Sequence, residues 1–129
     1  SEARDILPKD IPLKDAIVQW GNLGSFVHAL HTSDYELIKE SLDDVVIEPH
    51  RGKLIPLYQM VKETVQNSDA LGCGISGSGP SIFTLTKGET EAKIIAKKIA
   101  ELFESTDIEF DIHISEVNNE GPKIISTSY

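Results

Sequence analysis

The sequence predicts an α+β domain: a small, mostly antiparallel four-stranded sheet with helices packed on one face. Three observations lead there. Apolar residues at helical spacing fill the first half of the chain, β-branched segments flank a glycine-rich turn after residue 70, and a further helix precedes two more strand-like segments. The order ααα-β-β-α-β-β is that of helices first and a small sheet later. The 129 residues, 40% hydrophobic and 26% charged, suit one domain with enough apolar side chain for a core. Neither an internal repeat, a low-complexity tract nor a charge block marks a linker.

Residues 1–11 are expected to form an irregular, extended lead-in, because Pro8 and the following Pro12 fix φ and remove backbone donors. From Leu13, the residues Ile17, Trp20, Leu23, Val27 and Leu30 recur at spacings of three and four, which predicts an amphipathic helix to about residue 31. Gly21 and Gly24 weaken it locally. Asp34 has the chemistry of an N-cap, and Leu37, Ile38 and Leu42 give a short second helix ending near residue 44. Residues 45–53 hold Pro49 and Gly52 around His50 and Arg51. A proline biases its predecessor away from helical angles, so this stretch is expected as a connecting loop. A third helix is expected over about residues 56–67, with Leu57, Met60, Val61 and Val65 as its buried stripe.

Residues 70–76 and 81–86 are apolar, β-branched or aromatic enough to be strands, separated by Gly77-Ser78-Gly79-Pro80. Helical spacing returns over residues 89–104 through Ala92, Ile95, Ala96, Ile99, Leu102 and Phe103, with Lys93, Lys97 and Lys98 on the wet side. Phe110, Ile112 and Ile114 alternate with Asp111, His113 and Ser115, which predicts a strand with one wet face. Ile124 and Ile125, after Gly121-Pro122, suggest a last strand.

Twelve Lys and Arg against 21 Asp and Glu leave a formal charge of -9, which disfavours nucleic acid and anionic membrane surfaces as partners. The apolar stretches are far shorter than the roughly 20 residues needed to cross a bilayer, and the acidic first residues have no apolar signal core, so neither a span nor a signal peptide is expected. Cys73 is the one cysteine, excluding an intrachain disulfide and fitting a reducing cytoplasm.

The densest chemical signal is the ten-residue run from Gly72 to Ser81, with four glycines and three serines. Gly72, Gly74 and Gly77 satisfy G-x-G-x-x-G literally. That pattern binds a dinucleotide only where a helix opens at the third glycine, and here Pro80 and the strand-like Ile82-Phe83-Thr84-Leu85 follow. A Walker A loop fails outright, since no lysine lies between Gly72 and Lys87. Two readings remain open: an anion nest formed by the backbone N–H groups of Ser76, Gly77, Ser78 and Gly79, or a tight strand-to-strand turn in which glycine supplies positive φ.

His28 and His31 lie three apart near Asp34, formally a metal-ligand spacing, but without a thiolate or glutamate pair they read as an exposed helix end. Asp43 and Asp44, like Asp107, Glu109 and Asp111, read as solvated acidic surface, and no metal ligand is assigned. Cys73 in a strand reads as a packing residue, and His50 as a loop histidine that could also orient Arg51.

The run from Gly74 to Phe83 resembles the third sequence motif of the GHMP small-molecule kinases, whose glycine-rich turn closes near the nucleotide phosphates. Ser1-Glu2-Ala3-Arg4 with Ile6-Leu7-Pro8, Glu48-Pro49-His50-Arg51 with Leu54-Ile55-Pro56, and the closing run from Val117 to Pro122 are similar to segments of the homoserine kinases within that superfamily. The resemblance spans the whole chain. It implies a ferredoxin-like C-terminal domain, residues 1–129, of a two-domain kinase that moves the γ-phosphoryl group of ATP to the hydroxyl of L-homoserine in threonine biosynthesis. The N-terminal domain that would supply the nucleotide loop and the Mg2+ ligand is expected to lie outside this chain, so this chain alone is expected to be inactive.

By the same resemblance Arg4 and Arg51 bind the substrate's carboxylate, and Ser76, Gly77, Ser78 and Gly79 lie close to phosphate, with no catalytic residue on this part. The physics agrees, since a guanidinium grips a carboxylate through two parallel charge-assisted hydrogen bonds. Arg4 and Arg51 are also the only two arginines in the chain. Two surface arginines in exposed ion pairs, each worth about 0 to 1 kcal/mol, are the bland alternative. The expected partners are ATP, L-homoserine and the N-terminal domain. A homodimer, a GHMP kinase with another substrate, and a non-catalytic module that binds a small ligand all stay open.

Overall fold

A computed structural model describes residues 2–127. In chain order the helices are α1 (Glu2–Asp5), α2 (Leu13–Thr32), α3 (Tyr35–Ser41), α4 (Glu48–Arg51), α5 (Tyr58–Gln66) and α6 (Glu89–Glu104), with a 3-10 turn at Gly52–Leu54 directly after α4. Strands β1 (Gly72–Ile75) and β2 (Ile82–Leu85) lie between α5 and α6 and pair antiparallel, with Gly72 opposite Leu85 and Ile75 opposite Ile82.

Several expectations hold. Helix α6 has the expected bounds, burying Ile95 while Lys93, Lys97 and Lys98 stay exposed. Asp34 caps α3, its carboxylate accepting from the Leu37 N–H at 3.0 Å. That satisfies one of the donors a helix start leaves unpaired.

The hairpin stands between two apolar clusters. Val61 and Val65 of α5, Ala70, Cys73 and Ile95 form one, with Ile82, Ile99, Leu102 and Phe103 packed against it. Ala29, Ile38 and Leu71 form the other, joined by Phe26, Leu37 and Leu85, so α2 and α3 cover the open end of the hairpin.

Other expectations need correction. The sheet has two strands among the described residues, not four. Residues 110–115 form no ladder; Phe110, Ile112 and Ile114 are exposed, though the Phe110 ring lies 5.3 Å from that of Phe103 on α6. Alternation predicts one covered face, but here only its aromatic end finds a neighbour, the ring of Phe103, and no strand pairs with the segment. Ile124 and Ile125 are almost fully exposed, at 85% and 97%, and belong to no strand.

On α2 the apolar stripe is real, but it faces outward. Ile17, Trp20, Leu23, Val27 and Leu30 are all exposed, Trp20 at 63%, while Ala16, Ala29 and Phe26 make the inner side. On α5, Met60 is likewise exposed, and Tyr58 takes the buried place.

The two segments expected to be irregular each contain a helical turn. Glu2–Asp5 is helical, placing Arg4 in α1. Pro49 does not exclude Glu48 from α4, because it falls in the first turn, where its missing N–H would have had no intrahelical partner.

Candidate functional site

The site is built around Arg51, the last residue of α4. Four residues are too few to hold a helical turn by themselves, because nucleation fixes several dihedrals for very few hydrogen bonds. Asp44 supplies what is missing. Its Oδ1 accepts from the N–H groups of Val46 and Ile47, both at 2.8 Å, and its Oδ2 from that of Glu48 at 3.3 Å. The Arg51 N–H then donates to the Ile47 carbonyl at 3.0 Å, closing the turn.

From there the Arg51 side chain bridges two distant segments. Its Nε donates to the carbonyl of Ala3 at 2.9 Å and its Nη1 to the carbonyl of Gly77 at 3.2 Å. A guanidinium carries five N–H donors, so three remain beyond these bonds. Arg51 thus links α1, at the residue preceding Arg4, to the glycine-rich turn. Arg4 is exposed and its side chain makes no hydrogen bond or ion pair among the described residues.

The glycine-rich turn is ordered by its own backbone. The Ser76 N–H donates to the Ser81 carbonyl at 2.8 Å and the Gly79 N–H to the Ser76 carbonyl at 3.1 Å. Gly77, second residue of the turn closed by the Gly79–Ser76 bond, has φ of 63°, a value that favours glycine, while Ser78 does not share a positive φ. Gly79 has φ of 79°, and the peptide bond to Pro80 is cis. A Cβ on Gly79 would lie 2.9 Å from Ile55 Cδ1, so the turn sits tightly on the segment that follows α4.

These bonds narrow the nest reading. Of the four N–H groups from Ser76 to Gly79, the outer two are used within the turn, leaving those of Gly77 and Ser78 without a partner among the described residues. The turn reading and the nest reading therefore describe the same structure. Glycine supplies the φ values, and two adjacent donors stay open beside Arg51.

Behind α4 lies a charge cluster in which Asp43 is exposed, as expected of solvated surface, while Glu48 is buried and Lys62 half-buried. Glu48 is only 7% exposed, and its carboxylate takes the Lys62 ammonium of α5 in a short ion pair; Lys62 also reaches Asp43 Oδ1 at 3.1 Å. Burial alone would pull the Lys62 pKa down, but the hydrogen bonds and charges of Glu48 and Asp43 outweigh it and raise it. The Tyr58 hydroxyl, buried beside them, faces Glu48 without a hydrogen bond of ordinary geometry, and burial followed by that carboxylate raises its pKa. Burial, and secondarily Glu48, pushes the Cys73 thiol up to about 11, so this cysteine is a neutral packing residue. The one signal for the cluster in the sequence was Glu48, a charge three residues before Arg51 on the same motif.

An open cavity of about 460 Å³ adjoins the cluster, lined among others by Asp43, Asp44, Glu48, Tyr58 and Lys62, and by neither arginine nor the glycine-rich turn. His28 and His31 are exposed on α2. Among the described residues no group of three or more His, Cys, Asp or Glu side chains is placed to hold a metal ion. No helix of the described residues is long and apolar enough to cross a membrane.

The family model for the C-terminal part of GHMP kinases matches residues 26–105, which include Arg51 and the whole glycine-rich turn. The chain belongs to the GHMP kinase family. Among curated proteins, this GHMP kinase domain is 45% identical over 127 residues to the homoserine kinase of Chlorobium phaeovibrioides, covering 97% of this chain and 40% of that protein. It is 42% identical over 130 residues to the homoserine kinase of Chlorobaculum tepidum, with 99% and 40% covered. Among solved structures, the homoserine kinase of Cytophaga hutchinsonii superposes with a TM-score of 0.90 at 45% identity, over 94% of this chain and 38% of that one. The chain therefore spans about 40% of the length of the curated relatives it matches. Arg4 and residues 106–127 lie outside the family-model match.

Proposed function

We propose that this chain is the C-terminal domain of an ATP-dependent homoserine kinase, and that Arg51 with Arg4 binds the carboxylate of L-homoserine beside the glycine-rich turn. The observation that carries the reading is the Arg51 guanidinium itself, bonded to Ala3 and to Gly77 and retaining three donors. That arrangement favours an anion at the junction of all three sequence segments, and the relatives' names favour homoserine as its source.

In this reading the remaining Arg51 donors take the substrate carboxylate, and the exposed Arg4 side chain, without a hydrogen bond or ion pair among the described residues, turns toward the same charge. The open N–H groups of Gly77 and Ser78 then face phosphate oxygens of ATP, aided by the hydroxyls of Ser76 and Ser78. Mg2+ would neutralise charge on the phosphates, and its ligands and the nucleotide loop belong to the N-terminal domain. Phosphoryl transfer depends on holding the acceptor hydroxyl in line with the γ-phosphorus, so the contribution of this chain is to position and orient. The product is O-phospho-L-homoserine, for threonine synthesis in a reducing cytoplasm, where Cys73 stays a thiol.

The test is Arg51→Ala in the two-domain protein. The expected result is a KM for homoserine raised roughly a hundredfold, from the loss of about 3 kcal/mol of charge-assisted bonding, with the KM for ATP nearly unchanged. Equal effects on both substrates refute carboxylate recognition by Arg51.

A further inference from the structure

We propose that Glu48 and Lys62 are positioning residues for Arg51, setting the affinity of the carboxylate site through the turn that carries it; this rests on the function proposed above. Arg51 can only bridge Ala3 and Gly77 if α4 keeps its orientation, and α4 is a single turn without the length to fix itself. Two attachments do so from outside. Asp44 ties down the approach to the turn, accepting from the N–H groups of Val46 and Ile47 just before it and from that of Glu48 at its first residue. Glu48, three residues before Arg51, locks the turn to α5 through Lys62.

A charged carboxylate at 7% exposure is costly to keep unless it is paired, so Glu48 holds its place only while the ammonium is there. Lys62 is anchored in turn by Asp43, and α5 by Val61 and Val65 in the core. The chain of contacts runs from the core through Lys62 and Glu48 to Arg51, without Lys62 itself facing the proposed ligand. A merely structural pair would affect folding and leave the balance between the two substrates alone. A positioning pair acts on one KM.

The experiment measures steady-state kinetics of the two-domain kinase with Lys62→Met, Lys62→Arg and Glu48→Gln, alongside Arg51→Ala. For Lys62→Met and Glu48→Gln the expected result is a homoserine KM raised about tenfold, with kcat and the ATP KM within about twofold of wild type, and recovery of most of that loss in Lys62→Arg. Where Lys62→Met does not fold, Lys62→Gln, whose amide can still donate to Glu48, carries the same test with the same expected direction. An unchanged homoserine KM in the folded variants, with Arg51→Ala selective for homoserine, overturns the positioning role alone. An Arg51→Ala without selectivity for homoserine overturns the underlying reading and this inference with it.

Discussion

Substituting alanine at Gly79 and at Gly77 separates two costs that the glycine-rich turn combines. Both positions have positive φ, 79° and 63°, where an L-residue loses roughly 1–2 kcal/mol. At Gly77 a Cβ meets nothing within 4 Å, so that is the whole cost. At Gly79 the Cβ would stand 2.9 Å from Ile55 Cδ1 and 3.4 Å from Ile75 Cγ2. Ile55 is 7% exposed and has little room to swing aside, so overpacking adds about 1–3 kcal/mol. With a urea m-value of about 2 kcal/mol/M, Gly79→Ala should lower the unfolding midpoint by roughly 1–2.5 M and Gly77→Ala by roughly 0.5–1 M. Ile55→Val removes the offending Cδ1. Combined with Gly79→Ala it should show a favourable coupling of about 1 kcal/mol in a double-mutant cycle by urea unfolding followed by circular dichroism. Equal midpoints for the two alanine variants, or no coupling with Ile55→Val, would refute the packing argument.

Three further outcomes are expected. Stability should fall as pH rises from about 9 to 11. With raised pKa values, Cys73, Tyr58 and Lys62 keep their protons in the fold at a pH where the unfolded chain begins to release them, so folding is progressively disfavoured; Cys73→Ala should flatten the lower part of this slope, and an unchanged slope contradicts the assignment. The 129-residue chain alone should not phosphorylate homoserine with ATP and Mg2+, and measurable turnover would show that the N-terminal domain is dispensable. Trp20, the only tryptophan, should emit as a solvated indole and be quenched freely by iodide in the isolated chain; a blue-shifted, protected emission would mean that the outward stripe of α2 is covered.

Local chemistry was readable wherever one residue decides it. Asp34 is a cap whatever surrounds it, and the turn between β1 and β2 follows from Gly77 and Gly79. Patterns that need a neighbour were read less well. The stripe on α2 and the alternation at residues 110–115 both report amphipathic segments, and periodicity does not say which body lies against the apolar side. On α2 it was the small residues Ala16 and Ala29 that faced inward. Arg51 could be singled out from its motif, but its bonds to Ala3 and Gly77 span 48 and 26 residues, and no local pattern encodes them. Asp43 reads as surface and is exposed, but the burial of Glu48 and its pairing with Lys62, 14 residues away, have no local pattern to announce them.

The hairpin and the residue before it contribute to both apolar clusters, Cys73 and Ile82 to one and Leu71 and Leu85 to the other. A short ribbon of four-residue strands is marginal when isolated and survives here because one cluster packs along it and the other covers its open end. It follows that neither helical half can open far without stripping one wall from the other. The hairpin amides join the two clusters, alongside the contacts of Lys62 with Asp43 and of Lys39 with Ser68, and should be among the slowest to exchange their hydrogens with solvent.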